Sequence, residues 1–143
     1  MANLENLRNL AYAAGFVDGE GSIGGTCNKL RNGKNSYNIY FAVTNNDKRV
    51  LLQFKEMFGG SLYPFVRTGD SFRCKTTYQL KSFGKKAQDA ISKIYPFLRI
   101  KRAQAEIALS FQVGVGGTVL TLNQQRQREA IYLLLKHLNK RGK

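Results

Sequence analysis

Acid is what this sequence lacks. Its 143 residues hold only 9 Asp or Glu against 23 Lys or Arg, a formal balance of +14. A surface so poor in one sign excludes the usual mixed-charge exterior and points to a polyanionic partner. Cysteine is almost as scarce. Cys27 and Cys74 are too far apart to form a CxxC zinc half-site, and both fall on the apolar parity of their segments. They are expected in the core of a reduced, intracellular protein, bacterial or organellar. Histidine is down to His137, placed on the last helical segment as a surface residue, so no imidazole is on hand as a catalytic base. The longest strongly apolar stretch, Ile131 to Leu135, falls well short of the roughly 18 residues of a membrane span, and no membrane partner is expected. The opening MANLENLRNL carries Glu5 and lacks the charged-then-apolar order of a signal peptide.

What is present is apolar enough to fold. Hydrophobic residues make up 43% of the chain, which suits one domain with a real core and excludes a basic disordered tail. The positive charge falls in three zones. Lys29, Arg31, Lys34, Lys48 and Arg49 face only Asp47; Arg67, Arg73, Lys75, Lys81, Lys85 and Lys86 face only Asp70; the segment from 121 onward is basic again. Residues 1–20 run the other way, with Arg8 against Glu5, Asp18 and Glu20.

Periodicity divides the chain. Residues 4–17 read as a helix from the spacing of Leu4, Leu7, Leu10, Ala11, Ala14 and Val17, with Ala11, Ala14 and Gly15 as a small-residue edge. Ser22 to Leu30 and Tyr37 to Asn45 alternate as strands around a turn at 31–36. Lys48 to Phe58 is helical and stops at Gly59-Gly60. A second hairpin follows, Leu62 to Arg67 and Phe72 to Leu80 around Thr68-Gly69-Asp70. Gly84 to Ile94 is a helix ended by Pro96. Arg99 to Val113 reads as helical along Ile100, Ala103, Ile107, Leu109 and Phe111, Gly114 to Gly117 as a joint, and Gln124 to Asn139 as a last helix. The expected fold is α+β, an αββαββα order with a curved antiparallel sheet: one domain over 1–143, its core at 4–113 and a helical extension at 118–143.

Alternation sorts the strand residues into two faces. One gathers Ser22, Thr26, Asn28, Asn38, Tyr40, Tyr63, Arg67, Arg73, Lys75, Thr77 and Gln79, with no acid among them. Such donors, amides and hydroxyls read base edges and phosphates. The other gathers Ile23, Cys27, Ile39, Phe41, Val43, Leu62, Val66, Cys74, Tyr78 and Leu80.

Asp18 and Glu20 sit at the C-terminal end of the first helix, where the helix dipole disfavours negative charge. A divalent cation would compensate, since Mg²⁺ takes one or two carboxylates together with water and phosphate oxygens. Two-fold pairing of the small-residue helix edges would bring two copies of Glu20 together and build a metal site on the symmetry axis. Asp18 could instead be occupied in capping.

The run Ala13-Ala14-Gly15-Phe16-Val17-Asp18-Gly19-Glu20-Gly21-Ser22-Ile23 resembles the LAGLIDADG motif of homing endonucleases, and the element order over residues 4–113 is similar to that family's. Ala13 stands where Leu is usual, Gly19 where Ala is usual, and Glu20 where Asp is commoner. One motif in a chain of this length is similar to the homodimeric class. The resemblance implies a metal-dependent, site-specific DNA endonuclease. Glu20 would be the Mg²⁺ ligand (Mn²⁺ or Ca²⁺ also fitting), Gly19 would lend its carbonyl, and Ala11, Ala14, Gly15 and Asp18 would lie in the dimer interface. Asn45 would stand near the reacting water, with Arg49 and Lys101 at the scissile phosphate. Each has a plainer alternative: Asn45 as the cap of the helix at 48–58, Arg49 and Lys101 as phosphate clamps. The polar face with Lys29, Arg31 and Lys34 would lie on a long, roughly palindromic double-stranded DNA target. Gln124, Arg126, Arg128, Lys136 and Lys140 would clamp flanking backbone or cover the subunit's side. An RNA maturase-like splicing helper, or a DNA binder that does not cut, are the alternative readings on the same fold.

Overall fold

The computed structural model describes residues 3–65, 76–112 and 120–140. The elements are α1 (Leu4–Glu20), β1 (Gly21–Lys29), β2 (Asn35–Asn45), α2 (Lys48–Phe58), β3 (Ser61–Phe65), β4 (Thr77–Phe83), α3 (Gly84–Ile94), a 3-10 turn (Tyr95–Phe97), α4 (Arg102–Leu109) and α5 (Leu122–Lys140). The strands form one antiparallel sheet in the order β1-β2-β4-β3. The α+β order expected from periodicity is the one observed.

The helices begin and end where local chemistry dictates. Asn3 caps α1 by accepting from the Glu5 N–H, and Asp47 caps α2 by accepting from the Arg49 N–H. After α2 the chain turns through Gly59 and Gly60, both at positive φ. At Gly60 a Cβ would also lie 2.9 Å from the Lys81 carbonyl, so only glycine fits there.

Packing follows the two-residue period of the strands. Ile23, Ile39, Phe41, Val43 and Leu80 turn to one face and are buried. The helices cover that face with Ala13, Ala14 and Val17 from α1, Leu51, Phe54 and Phe58 from α2, and Ala87, Ala90, Ile91 and Ile94 from α3. Each fully buried Val, Leu, Ile or Phe among them contributes roughly 1.5–3 kcal/mol through removal from water. The last helix belongs to the same core: Leu135 is fully buried, Tyr132 packs on the Tyr37 ring, and Asn139 donates to the Ile23 carbonyl. Among the described residues no helix is long and apolar enough to cross a membrane.

Four expectations are corrected. α1 runs on through Asp18 and Gly19 to Glu20, closed by the Gly21 N–H bonding to the Val17 carbonyl. Ala14 is 0% exposed, packed into the core beside Ala13 and Val17, so it lies away from any interface on the outer side of the helix. Cys27 is exposed rather than in the core, near the open end of the edge strand β1. α4 is shorter than expected and phased differently: it buries Ala105 and Ala108, while Ile100 lies before it, 73% exposed. Arg67, Arg73, Lys75, Val66, Cys74, the 68–70 turn and the 114–117 joint lie outside the described residues.

Candidate nucleic-acid interface and acidic centre

The sheet face opposite the helices is a grid that the strand register defines. Its central row runs Ser22, Ala42, Lys81 and Ser61 across all four strands. On one side of it lies the row Thr44, Gln79 and Tyr63, and on the other Gly24, Tyr40 and Phe83. Farther out along the first hairpin come Thr26 with Asn38, then Asn28 with Ser36. No carboxylate appears in any of these rows. Side-chain bonds order the grid: the Tyr63 hydroxyl donates to Gln79 Oε1 (2.6 Å), and Gln79 Nε2 donates to Thr44 Oγ1 (3.3 Å). Thr77 donates to Asn46 Oδ1 (2.9 Å), and Ser22 and Tyr40 share a bond between their hydroxyls (3.0 Å).

Of the polar residues expected on this face, Ser22, Thr26, Asn28, Asn38, Tyr40, Tyr63, Thr77 and Gln79 share it as the alternation requires. Lys29, Arg31 and Lys34 cluster at the exposed tip of the first hairpin. Thr44, Ser61 and Lys81 belong to the face as well and were absent from the expected set. The signal for Lys81 was simple: the alternation of Thr77 and Gln79 continues one step past Leu80, and β4 continues with it to Phe83.

The acidic centre lies where α1 hands over to β1. Glu20 is exposed, and Asn45 at the end of β2 donates from Nδ2 to its Oε2 (2.9 Å). Asn45 Oδ1 in turn accepts from the Asp47 N–H (2.7 Å), so the side-chain amide is held at both ends. This removes the alternative role of Asn45: Asp47 is the cap of α2, and Asn45 faces the acid. Arg49 does not reach Glu20. Its guanidinium grips Asp47, donating from Nε (3.2 Å) and Nη2 (3.1 Å), and its side chain is 90% exposed. The side-chain hydrogen bond from Arg49 holds the Asp47 carboxyl below its ordinary value and raises Arg49 in return.

Asp18 faces away from this cluster and is fully employed. Its carboxylate accepts from three successive main-chain N–H groups, Arg99 (2.9 Å), Ile100 (3.2 Å) and Lys101 (3.0 Å), while Lys101 Nζ donates to the Asp18 carbonyl (2.8 Å). Three converging amides form an anion-binding concavity. α4 has no side-chain cap of its own; Asp18 instead holds the three residues that lead into it. The result pins Lys101 to the end of α1, two residues from Glu20. Burial pushes the Lys101 ammonium below its ordinary pKa, with the Asp18 charge opposing the shift. We expect Asp18→Ala to lower unfolding stability by about 2 kcal/mol, since it strands several amides at once. Asp18→Asn, which keeps one acceptor oxygen, should lose about half as much; urea denaturation measures both.

A hard cation would suit this chemistry only in part. Among the described residues no cluster of three or more His, Cys, Asp or Glu side chains exists. One chain offers the Glu20 carboxylate and the neighbouring Gly19 carbonyl, with Asp18 already committed to amides. The donors are the oxygens that Mg²⁺ prefers, but a single chain supplies too few. The outward side of α1 carries Leu4, Leu7, Ala11, Gly15 and Gly19, all exposed. A Cβ built on Gly15 or Gly19 meets no atom within 4 Å, so nothing inside the subunit calls for glycine there.

No protein-family profile and no curated protein sequence matches the chain. Solved structures do. The chain is similar to the archaeal intron-encoded homing endonuclease I-Vdi141I complexed with DNA, at 23% identity and TM-score 0.70 over 94% of this chain and 85% of that one. It is similar to the homing endonuclease I-CvuI in complex with its target in the presence of Ca, at 20% identity and TM-score 0.64 over 96% and 98%. It also matches the LAGLIDADG homing endonuclease I-GzeII in complex with its DNA target, at 19% identity and TM-score 0.55, over 86% of this chain and 43% of that one. Helices and strand order therefore belong to one established architecture: the chain has the fold of the LAGLIDADG homing endonucleases.

Proposed function

We propose that this protein is a site-specific DNA endonuclease that acts as a homodimer and cleaves double-stranded DNA with the help of a divalent cation, Mg²⁺ in the first instance. The observation that carries the reading is that Asn45 bonds the Glu20 carboxylate while Lys101 bonds the carbonyl of Asp18, two positions earlier on α1, beside a polar sheet face without acid among the described residues. The DNA carried by the similar solved structures supports the same partner here.

Pairing the outward faces of α1 in two copies explains why Gly15 and Gly19 leave their flanks open. Glycine inside a helix costs about 0.5–1 kcal/mol relative to alanine, and a second backbone at close range is the return for it. Two Glu20 carboxylates and the carbonyls of Gly19 would then hold the cation between them. When bound, the cation neutralises charge on the phosphodiester as it becomes five-coordinate and on the departing oxygen.

The chain's own groups do the rest. Asn45 fixes the rotamer of Glu20, and Asp47 fixes Asn45. Lys101, held by the Asp18 carbonyl, presents a partly desolvated ammonium toward developing negative charge, where a fixed donor is worth most. Arg49, exposed and steadied by Asp47, stands ready to grip a backbone phosphate. The polar grid lies in the major groove and reads base edges, while the hairpin tip at Lys29, Arg31 and Lys34 holds phosphates.

The test is incubation with a pool of double-stranded DNA enriched for binding, in Mg²⁺ and in EDTA. The expected result is a double-strand break at symmetry-related positions in Mg²⁺ and intact, bound DNA in EDTA. Tight binding without any cut in Mg²⁺ would leave a DNA-binding protein and end the nuclease reading.

A further inference from the structure

We propose that Lys81 selects a guanine at one of the base pairs closest to the cut; this rests on the DNA reading above and assigns a specific contact within it. Lys81 stands in the central row of the grid, and its cation is flanked by aromatic rings. Nζ lies 4.7 Å from the centroid of Tyr40 and 5.2 Å from that of Phe83. The arrangement is built rather than incidental. Ala42 separates Lys81 from Ser22, and its short side chain, 3% exposed, leaves a lane for the lysine stem. Tyr40 lies close over β1 because Gly24 has no side chain: a Cβ there would sit 2.7 Å from the ring. Ser22 then ties down the Tyr40 hydroxyl. No carboxylate pairs with Lys81 among the described residues.

A lysine in solution samples many rotamers, whereas stacking over two rings confines this one. Confinement suits base reading more than phosphate clamping. Phosphates run along the rim of a groove, while Lys81 lies inside the face, with the row of Gln79 on one side and that of Tyr40 on the other. An ammonium has donors only, and the base edge in the major groove that offers two adjacent acceptors is guanine, through N7 and O6. The position along the target follows from the register. Lys81 shares its row with Ser22, two residues beyond Glu20, whereas Thr26 and Asn28 lie farther out on the hairpin. The guanine therefore belongs to the inner part of each half-site.

The experiment is selection from a pool of randomised double-stranded DNA by the full-length protein, run in parallel for wild type, Lys81→Arg, Lys81→Gln and Tyr40→Leu. Wild type should enrich a guanine at two symmetry-related inner positions. Lys81→Arg should retain it, Lys81→Gln should lose about tenfold in discrimination there and drift toward adenine, and Tyr40→Leu should weaken the same position alone. An unchanged guanine with Lys81→Gln overturns the proposal while the DNA reading stands. Uniform loss of affinity across all sequences, with a salt dependence shallower by about one counterion, makes Lys81 a phosphate contact and also overturns it. If wild type enriches no sequence, the DNA reading itself fails and takes this assignment with it.

Discussion

Glu20→Gln should reduce cleavage by at least about 10³-fold while leaving DNA affinity within about twofold of wild type, because the change removes a carboxylate worth several kcal/mol to a bound cation and little else. Glutamine keeps the length and the acceptor oxygen of glutamate, so Asn45 can still donate to it as it does across 2.9 Å now. The folded chain should not suffer. The acid sits at the C-terminal end of a 17-residue helix, where the helix dipole opposes it, so the variant should melt slightly higher than wild type. Loss of cutting with gain of stability is a combination that general damage cannot produce. A Glu20→Gln protein that still cuts at the wild-type rate would show that the cation is held elsewhere.

Gly15→Leu should convert the proposed dimer to a monomer and, through that, abolish the double-strand break proposed for it. The side chain would be harmless in one subunit, where the Cβ direction at Gly15 is open to 4 Å. Against a second helix at close range it would force the backbones apart, an overpacking cost of up to about 3 kcal/mol, or roughly 100-fold in dissociation constant. Sedimentation across a concentration series measures the shift. Monomer stability moves the other way, up by about 0.5–1 kcal/mol, because leucine replaces glycine inside a helix. Gly15→Leu that remains dimeric and active would place the interface on another face of the molecule.

Much of this was legible from the residues alone, for identifiable reasons. A period of two sorts side chains rigidly, so Ser22, Asn38, Tyr40, Thr77 and Gln79 were assigned to their face before any coordinates. Gly59-Gly60 after Phe58 ended α2 to the residue, since a stop signal is local chemistry, whereas its cap, expected at Asn45, is Asp47. The errors came where tertiary packing decides. Cys27 has the parity of a core residue, but it lies near the end of an edge strand, with a neighbouring strand on one side only. Ala14 and Gly15 are neighbours of similar size, and only the packing of Val17 and Ala13 shows which of them turns inward. The helix expected from Arg99 begins only at Arg102, and Asp18, about 80 residues upstream, holds the non-helical residues 99–101 before it. No local pattern around Arg99 could reveal a partner that distant. Asn45 could be narrowed only to two roles, and geometry chose the one facing Glu20.

The bonds from Asp18 bear on the order in which the molecule comes together. They join residues 81 to 83 positions apart, and Asn139 bonds to the Ile23 carbonyl across 116. Contacts of such long range form late, because the loops they close must first lose their freedom. The first hairpin and α2 can take shape among near neighbours, but Lys101 finds its place only after β4 and α3 have been laid down between them. The bond between Lys101 and the Asp18 carbonyl is thus a readout of the whole fold: a subunit that has not closed its long loops should hold its acid and its lysine apart.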